Sequence, residues 1–369
     1  MSVQVPLHWK LLPLEQVATL QRGFDLPVQE RIPGSVPIFA ANGPVGTHQV
    51  AKVVRPGVIT GRSGSIGKVH FVDEDYWPLN TSLFVKDFHG NYPRFIFYLL
   101  QQMRLEQYHE GTGVPTLNRN NVHSVFVPVP PLSEQRRIAA ILDKADELRA
   151  KQRVALRQLD GLTKAIFLDL FGDPVVNTKG WPLEKLGRIG TLDRGISKHR
   201  PRNAPELLGG PYPLVQTGDV ANCDGYIRTY TGSYSELGLR QSKLWPAGTL
   251  CITIAANIAK TGILTFDSCF PDSIVGFIAN DSATVEFVRI WLSFLQKMLE
   301  DNAPESAQKN INLAILRDLT IPLPPITLQH DFANCIAALE KLKASHRASF
   351  RELNELFGSL QHRAFRGEL

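Results

Sequence analysis

The chain has 369 residues, 43% hydrophobic and 20% charged, with 28 Gly and 25 Pro. That is a globular composition, too long for one compact core and unlike a disordered or collagen-like chain. The net charge of +5 permits a polyanionic partner without requiring one, and the absence of any apolar run near the roughly 18 residues of a membrane helix, or of an apolar leader, predicts a soluble protein that is not exported.

The excess charge is thinly spread: +2, +2, 0 and +1 over residues 1–131, 132–172, 173–325 and 326–369. Any nucleic-acid binding must therefore come from side chains clustered on folded surfaces. The four cysteines, Cys223, Cys251, Cys269 and Cys335, show no CxxC spacing and no adjacent His pattern, which supports neither a zinc site nor a disulfide framework and fits a reducing compartment.

In chain order, the segment opening at Trp9-Lys-Leu-Leu-Pro-Leu-Glu alternates short β-rich runs with Gly, Pro and Asn. It carries polar loops at Asn42-Gly and at Gly61-Arg-Ser-Gly-Ser-Ile-Gly-Lys68, and a helical run at Arg94-Phe-Ile-Phe-Tyr-Leu-Leu. After Pro130-Pro131 a helix is predicted from about 134 to 171, with Ser133 as its cap and Gly172 and Pro174 as its stop. Ile138, Ile141, Ala145, Leu148, Ala155, Leu159, Leu162 and Ile166 give it a heptad seam, interrupted only by Gln152.

The pattern is then written a second time. Trp181-Pro-Leu-Glu opens a second β-rich segment, whose polar loops are Ser197-Lys-His-Arg-Pro-Arg202, Gln216-Thr-Gly and Asn257-Ile-Ala-Lys260, and whose helical run is Glu286-Phe-Val-Arg-Ile-Trp-Leu. Leu117-Asn118 and Val127-Pro-Val-Pro-Pro-Leu132 return as Ile311-Asn312 and Ile321-Pro-Leu-Pro-Pro-Ile326, at a constant offset of 194. A second seam follows at Phe332, Leu339, Leu342, Leu353, Leu356 and Leu360.

The first helix would span about 55 Å at about 1.5 Å per residue, longer than a head of this size is wide. Its natural cover is its twin, packed antiparallel. The expected architecture is α+β: two mixed globular heads (1–131 and 173–325) held apart by two long antiparallel coiled-coil helices (132–172 and 326–369), with an internal pseudo-two-fold repeat. The expected helix-pair interface is Ile138, Ile141, Leu148, Leu159, Leu162, Ile166, Phe332, Leu339, Leu342, Leu353, Leu356 and Leu360. Trp9, Trp181 and Phe95–Leu100 are read as core, and Cys335 and His346 as tolerated seam residues.

No catalytic motif survives testing. Gly67-Lys68 would need a glycine where Arg62 stands to be a phosphate-binding loop, and the chain has no GxGxxG, GxSxG or HExxH. The proline pairs lack the preceding Asn or Asp of an amino-methylating tetrad. Binding is favoured over catalysis.

At this point Pro131-Leu-Ser-Glu-Gln-Arg-Arg-Ile-Ala-Ala-Ile-Leu-Asp143, the ending Ser359-Leu-Gln-His-Arg-Ala-Phe-Arg-Gly-Glu-Leu369, the tract Gly61–Lys68 and Asn42-Gly-Pro-Val-Gly resemble the specificity subunit of type I restriction-modification enzymes. The resemblance covers essentially the whole chain. One departure is Thr327-Leu-Gln-His-Asp-Phe, where the first copy has Ser-Glu-Gln-Arg-Arg-Ile.

The resemblance implies two target-recognition domains on two spacer helices, each reading one half of a split site in double-stranded DNA. It implies no catalytic residue, metal or cofactor in this chain: AdoMet, ATP and Mg2+ would belong to two methylation subunits and to motor-nuclease restriction subunits in a prokaryotic cytoplasm. Candidate DNA contacts are Asn42, Arg62, Ser63, Lys68, Asn118 and Arg119 in the first head. In the second they are Lys198, His199, Arg200, Arg202, Gln216, Asn257, Lys260, Gln308, Lys309 and Asn310. Arg62, near the presumed loop tip, suits a guanine and Lys68 a phosphate. A self-sufficient DNA-modifying enzyme and a solitary DNA-binding scaffold or regulator remain as alternatives.

Overall fold

The computed structural model describes residues 6–110, 115–255, 259–301 and 311–369. The chain forms two compact units: one runs to Val154 and takes back Arg347–Leu369, the other spans Ala155–His346.

The first unit opens with β1 (Lys10–Pro13), β2 (Thr19–Arg22), β3 (Val36–Ala40), β4 (Gly43–His48) and β5 (Gly57–Gly61). There follow β6 (Val69–Val72), β7 (Trp77–Pro78), β8 (Ser82–Asp87) and helix α1 (Pro93–Gln102), then β9 (His109–Glu110), β10 (Thr116–Leu117), helix α2 (Arg119–His123) and β11 (Phe126–Val129). The main sheet has the order β2-β8-β5-β6, beside a smaller sheet β4-β3-β7. Its inner strands carry unbroken apolar runs, Val58-Ile59 and Leu83-Phe84-Val85, all buried, as strands covered on both faces do. Helix α1 starts at Pro93, whose fixed φ suits a first helical position, and buries every residue from Phe95 to Leu100.

From α2 the chain passes through β11 into the long helix α3 (Leu132–Phe171), whose second half belongs to the second unit. That unit continues with β12 (Leu183–Lys185), β13 (Gly190–Arg194), β14 (Leu208–Leu214), α4 (Thr217–Ala221), β15 (Tyr226–Ile227), β16 (Gly232–Tyr234) and α5 (Glu236–Arg240). Next come β17 (Leu250–Thr253), β18 (Thr261–Leu264), β19 (Ile274–Ala279), α6 (Val285–Asp301), α7 (Leu313–Asp318), β20 (Thr320–Pro322) and the second long helix, α8 (Ile326–Ala364).

The main sheet here, β13-β19-β17-β18-β15, repeats the order of the first and adds β15, parallel to β18. The repeat holds to the residue at the neck of each head. There β1 pairs antiparallel with β11, Leu11 facing Pro128, and β12 with β20, Leu183 facing Pro322.

Each core is completed by helix ends. In the first unit Ile138, Leu142 and Ala145 of α3 and Phe357 and Ala364 of α8 join the cluster of Phe95, Tyr98 and Trp9. In the second, Phe167 and Phe171 of α3 pack on Phe287 of α6 and Phe332 of α8, with ring centroids 4.9–5.6 Å apart.

One buried glutamine at the start of each long helix fastens it to its head. Gln135 Oε1 accepts from Tyr92 N at 2.8 Å, and its amide donates to Asn91 Oδ1 and Pro130 O. Gln329 does the same with Thr284 N at 3.0 Å, Ser282 O and Pro324 O. The divergent second motif therefore keeps its Gln and exchanges Ile138 for Phe332, both buried; the residues it loses are outside this clasp.

Within each unit the helices pair antiparallel, so the fold is α+β with two long paired helices. Arg149 Nε donates to Asn354 Oδ1 at 2.8 Å and Gln152 Nε2 to Ser349 Oγ in the first unit, and Lys343 meets Asp160 at 3.0 Å in the second.

The seam differs from the sequence expectation. Ile138, Phe332 and Leu339 are buried and Ile141, Leu159, Ile166, Leu353 and Leu360 half-buried, but Leu148, Leu162, Leu342 and Leu356 are 40–50% exposed. The covered side of α3 runs instead through Ile138, Leu142, Ala145, Arg149, Gln152, Leu156, Leu159 and Thr163, and that of α8 through Phe332, Ile336, Leu339, Lys343, His346, Phe350, Leu353, Phe357, Leu360 and Ala364. The steps alternate four and three. Polar residues occupy several seam positions: the Arg149 guanidinium lies 4.2 Å from the Phe357 ring centroid and Lys343 is held by Asp160 and Glu340. An apolar-only pattern slips by one residue onto a neighbouring leucine.

Three smaller expectations also change. Helix α3 begins at Leu132, so Ser133 lies inside its first turn, where Glu134 N and Gln135 N bond to Pro131 O. Trp181 is half-buried, tied through Nε1 to Phe171 O. Cys335 is exposed, off the seam.

Candidate nucleic-acid interface

In the first head the Gly-rich loop leaves the buried strand β5. Gly61 is required there, because a Cβ would lie 1.8 Å from Ser65 O. Arg62 is at the foot of this loop, not its tip. Arg62 N and Ser63 N donate to Thr81 O at 2.8 and 3.2 Å, and Arg62 O accepts from Leu117 N at 2.7 Å. The tip is Gly64, exposed, with φ +85°. Lys68 stands at the other foot, exposed, just before β6.

This pinning brings Arg62 to a cleft of about 740 Å³ with Gln21, Arg22, Asp25, Thr116, Asn118 and Arg119. The Arg62 guanidinium is partly buried and donates to Asn80 O at 3.2 Å, which fixes its direction. Arg119 is exposed at the first turn of α2. Asn118 caps that helix, its Oδ1 accepting from Asn120 N, as Asn312 caps α7; this is a folding role shared by both copies. Asn42 is exposed in the β3–β4 turn and Ser63 half-buried, bridged to Thr116. No sequence pattern marks Arg22 and Asp25; in the fold, a Cβ on Gly23 between them would meet Leu79 O at 2.2 Å, so the backbone carrying both residues is locked against the sheet.

In the second head, Lys198, His199, Arg200 and Arg202 are exposed on one segment. Lys198 N and His199 N both donate to Gln241 Oε1, at 2.7 and 3.0 Å. Arg200 donates to Ser197 O and His199 O, and Arg202 Nη2 to both oxygens of Asp272 at 2.7 and 2.9 Å. A cleft of about 470 Å³ gathers Arg202, Gln216, Thr217, Thr231 and Ser273. Gln216 also forms a capping box with Asp219. Lys260 is half-buried, its backbone paired with Thr253. Asn257, Gln308, Lys309 and Asn310 lie outside the described residues.

Two histidines near the first head's surface are held toward the neutral form. Burial, then Lys68, lowers the pKa of His70. Burial lowers that of His123, whose Nε2 accepts from Leu20 N at 2.9 Å, while Glu15 works in the opposite direction. Among the described residues no group of His, Cys, Asp and Glu could hold a metal ion, and no helix is long and apolar enough to cross a membrane.

Comparison with known proteins fits this arrangement. The chain is 22% identical over 68% of its length to the putative type I restriction enzyme MjaX specificity subunit of Methanocaldococcus jannaschii. It is 24% identical over 69% of its length to the type I restriction enzyme EcoBI specificity subunit of Escherichia coli. These matches span 62% and 61% of the relatives' own lengths, so the chain covers about six-tenths of each. Its fold is similar to that of the type I restriction-modification system S subunit from M. genitalium, with a TM-score of 0.66 at 16% identity and 99% of each chain covered. Residues 6–157 and 178–355 each match the type I restriction modification DNA specificity domain, and the chain belongs to that family, whose domain it carries twice.

Proposed function

We propose that this chain is the non-catalytic address of a type I restriction-modification complex. It binds double-stranded DNA at a split, asymmetric site, one half-site per head, and carries two methylation subunits and the motor-nuclease restriction subunits. Methyl transfer from AdoMet to an adenine amino group, and ATP- and Mg2+-dependent translocation and cleavage, belong to those partners in a prokaryotic cytoplasm.

The observation that carries the reading is one scaffold displaying two unlike polar clefts. The sheet order, the neck pairing and the glutamine clasp repeat, whereas the cleft of the first head is rich in arginine and that of the second in hydroxyl and amide groups. Base edges in the major groove differ in their donors and acceptors, so unlike clefts suit unlike half-sites. In the first head Arg62, half-buried and aimed by Asn80 O, has the fork for guanine, while Lys68 and Arg119 are exposed cations suited to phosphate. In the second, Gln216 and Arg202 are the paired candidates.

The test is exchange. Replacing residues 1–125 with the corresponding segment of another family member, and sequencing the methylated sites of a host carrying the chimaera and its methylation subunits, should change one half-site and leave the other. A change in both halves overturns the one-head, one-half-site reading.

A further inference from the structure

Taking the first head's cleft as a DNA surface, as proposed above, we propose that Asp25 is a specificity-determining residue, accepting a hydrogen bond from the exocyclic amino group of a cytosine next to the guanine that Arg62 reads. Asp25 is the one carboxylate among the described lining residues, in company with Arg22, Arg62 and Arg119. Against a polyanion a carboxylate costs affinity, so its presence needs a reason.

Pairing with arginine is a weak one. Arg22 Nη2 is 3.8 Å from Asp25 Oδ1, with both side chains more than half exposed, a geometry that contributes little. The stronger partner is Asn80, whose amide donates to the same Oδ1. Neither contact engages Oδ2. The backbone under the carboxylate is fixed: Phe24 N donates to Pro78 O at 2.8 Å and Asn80 N to Phe24 O at 3.0 Å.

Asn80 also links the two functional groups. Its side chain holds the Asp25 carboxylate, and its carbonyl oxygen accepts from Arg62 Nη1 at 3.2 Å. A forked donor and an acceptor anchored on one residue are complementary to the major-groove edge of G·C pairs, where guanine offers O6 and N7 and cytosine offers its N4 amino hydrogens. A carboxylate there also repels phosphate, which disfavours non-specific occupancy of the cleft.

The experiment uses the full chain with its methylation subunits and compares wild type, Asp25→Asn and Arg62→Ala. Each selects binding sites from a randomised duplex pool, and each is titrated with a non-specific duplex. Asp25→Asn, which is isosteric, should relax one C·G position by about 5- to 150-fold in discrimination and should tighten non-specific binding, since a negative charge is gone. Weaker binding to every sequence together with a lower melting temperature would make Asp25 a structural residue and overturn the proposal. If Arg62→Ala loses a base while Asp25→Asn selects the wild-type sequence, Asp25 reads nothing and the cleft remains the DNA surface. If neither variant alters selection or affinity, the cleft is not the DNA surface and both readings fall.

Discussion

In the first head Arg22, Arg62 and Arg119 share one open cleft with the carboxylate of Asp25, whereas in the second Arg202 is already held by both oxygens of Asp272 and its cleft offers mainly hydroxyl and amide groups. Beneath these surfaces the two heads agree in sheet order, in the register of the neck strands and in the glutamine at the start of each long helix. Backbone pairing and core burial constrain the positions that recur. Loop side chains are under fewer such constraints, and it is they that differ between the two clefts.

The most damaging way to separate the heads is through the aromatic anchors that each takes from the long helices. Phe167→Ala and Phe357→Ala each remove a buried ring, at a cost of about 3–5 kcal/mol. Native-state hydrogen exchange should show Phe167→Ala weakening the second unit and Phe357→Ala the first. Leu356→Ala, one residue away but 50% exposed, should cost less than about 1 kcal/mol. Equal losses at 356 and 357 would return the seam to the leucine register.

The glutamine clasp should be symmetric. Gln135→Leu and Gln329→Leu each leave a backbone N–H, of Tyr92 or Thr284, without its side-chain acceptor, worth about 1–3 kcal/mol when buried. Similar losses in the two units, measured the same way, would establish that the clasp repeats in energy as well as geometry. A loss at Gln135 alone would restrict it to the first copy.

These residues also mark what was legible in the sequence. The repeat, the two long helices and the α+β character could be read because they rest on periodicity and on an offset repeated across the proline blocks. The seam could not be read fully, because Arg149 and Lys343 occupy it through ring stacking and ion pairs that hydropathy does not register. Nor could the composition of the clefts. Arg62, Arg119 and Arg22 are distant in sequence and meet only because the loop after β5 is bonded to residues 81 and 115–117, and nothing local to Asp272 identified it as the partner of Arg202.

The clefts themselves supply a smaller contrast, read in DNA binding. Arg62→Ala should cost about 1–3 kcal/mol at one base pair of the first half-site and leave other positions intact. Arg202→Ala should cost less, because both oxygens of Asp272 already occupy that guanidinium, and Arg200, 4.0 Å from the same carboxylate, still offsets it when Arg202 is gone. Lys68→Ala should weaken all sequences alike and reduce the slope of log K against log salt by about 0.9. Competition with single-base variants at fixed salt distinguishes the three. Uniform weakening by Arg62→Ala would make that residue a phosphate contact.

The smallest expected effect comes from one equivalent position filled by different chemistry. Near the end of α2, His123 Nε2 accepts from Leu20 N; in α7, Arg317 Nη2 donates to Leu192 O at 2.6 Å. Both side chains tie a short helix to the first strand of the main sheet, but only the histidine titrates near neutrality. Burial holds the His123 pKa below its ordinary value of 6.5, so the unfolded chain takes up the proton first as pH falls. Its contribution is therefore complete above about pH 6.5 and is lost as pH drops from there toward the lowered native value. Acidification should loosen the first head before the second, seen as faster amide exchange around Leu20 than around Leu192. His123→Gln keeps an acceptor at the same reach without a titrating ring, and should flatten that pH dependence, leaving the part owed to His70, which burial and Lys68 also hold toward neutrality. An unchanged pH profile in His123→Gln would mean that this contact does not set the acid sensitivity of the first head.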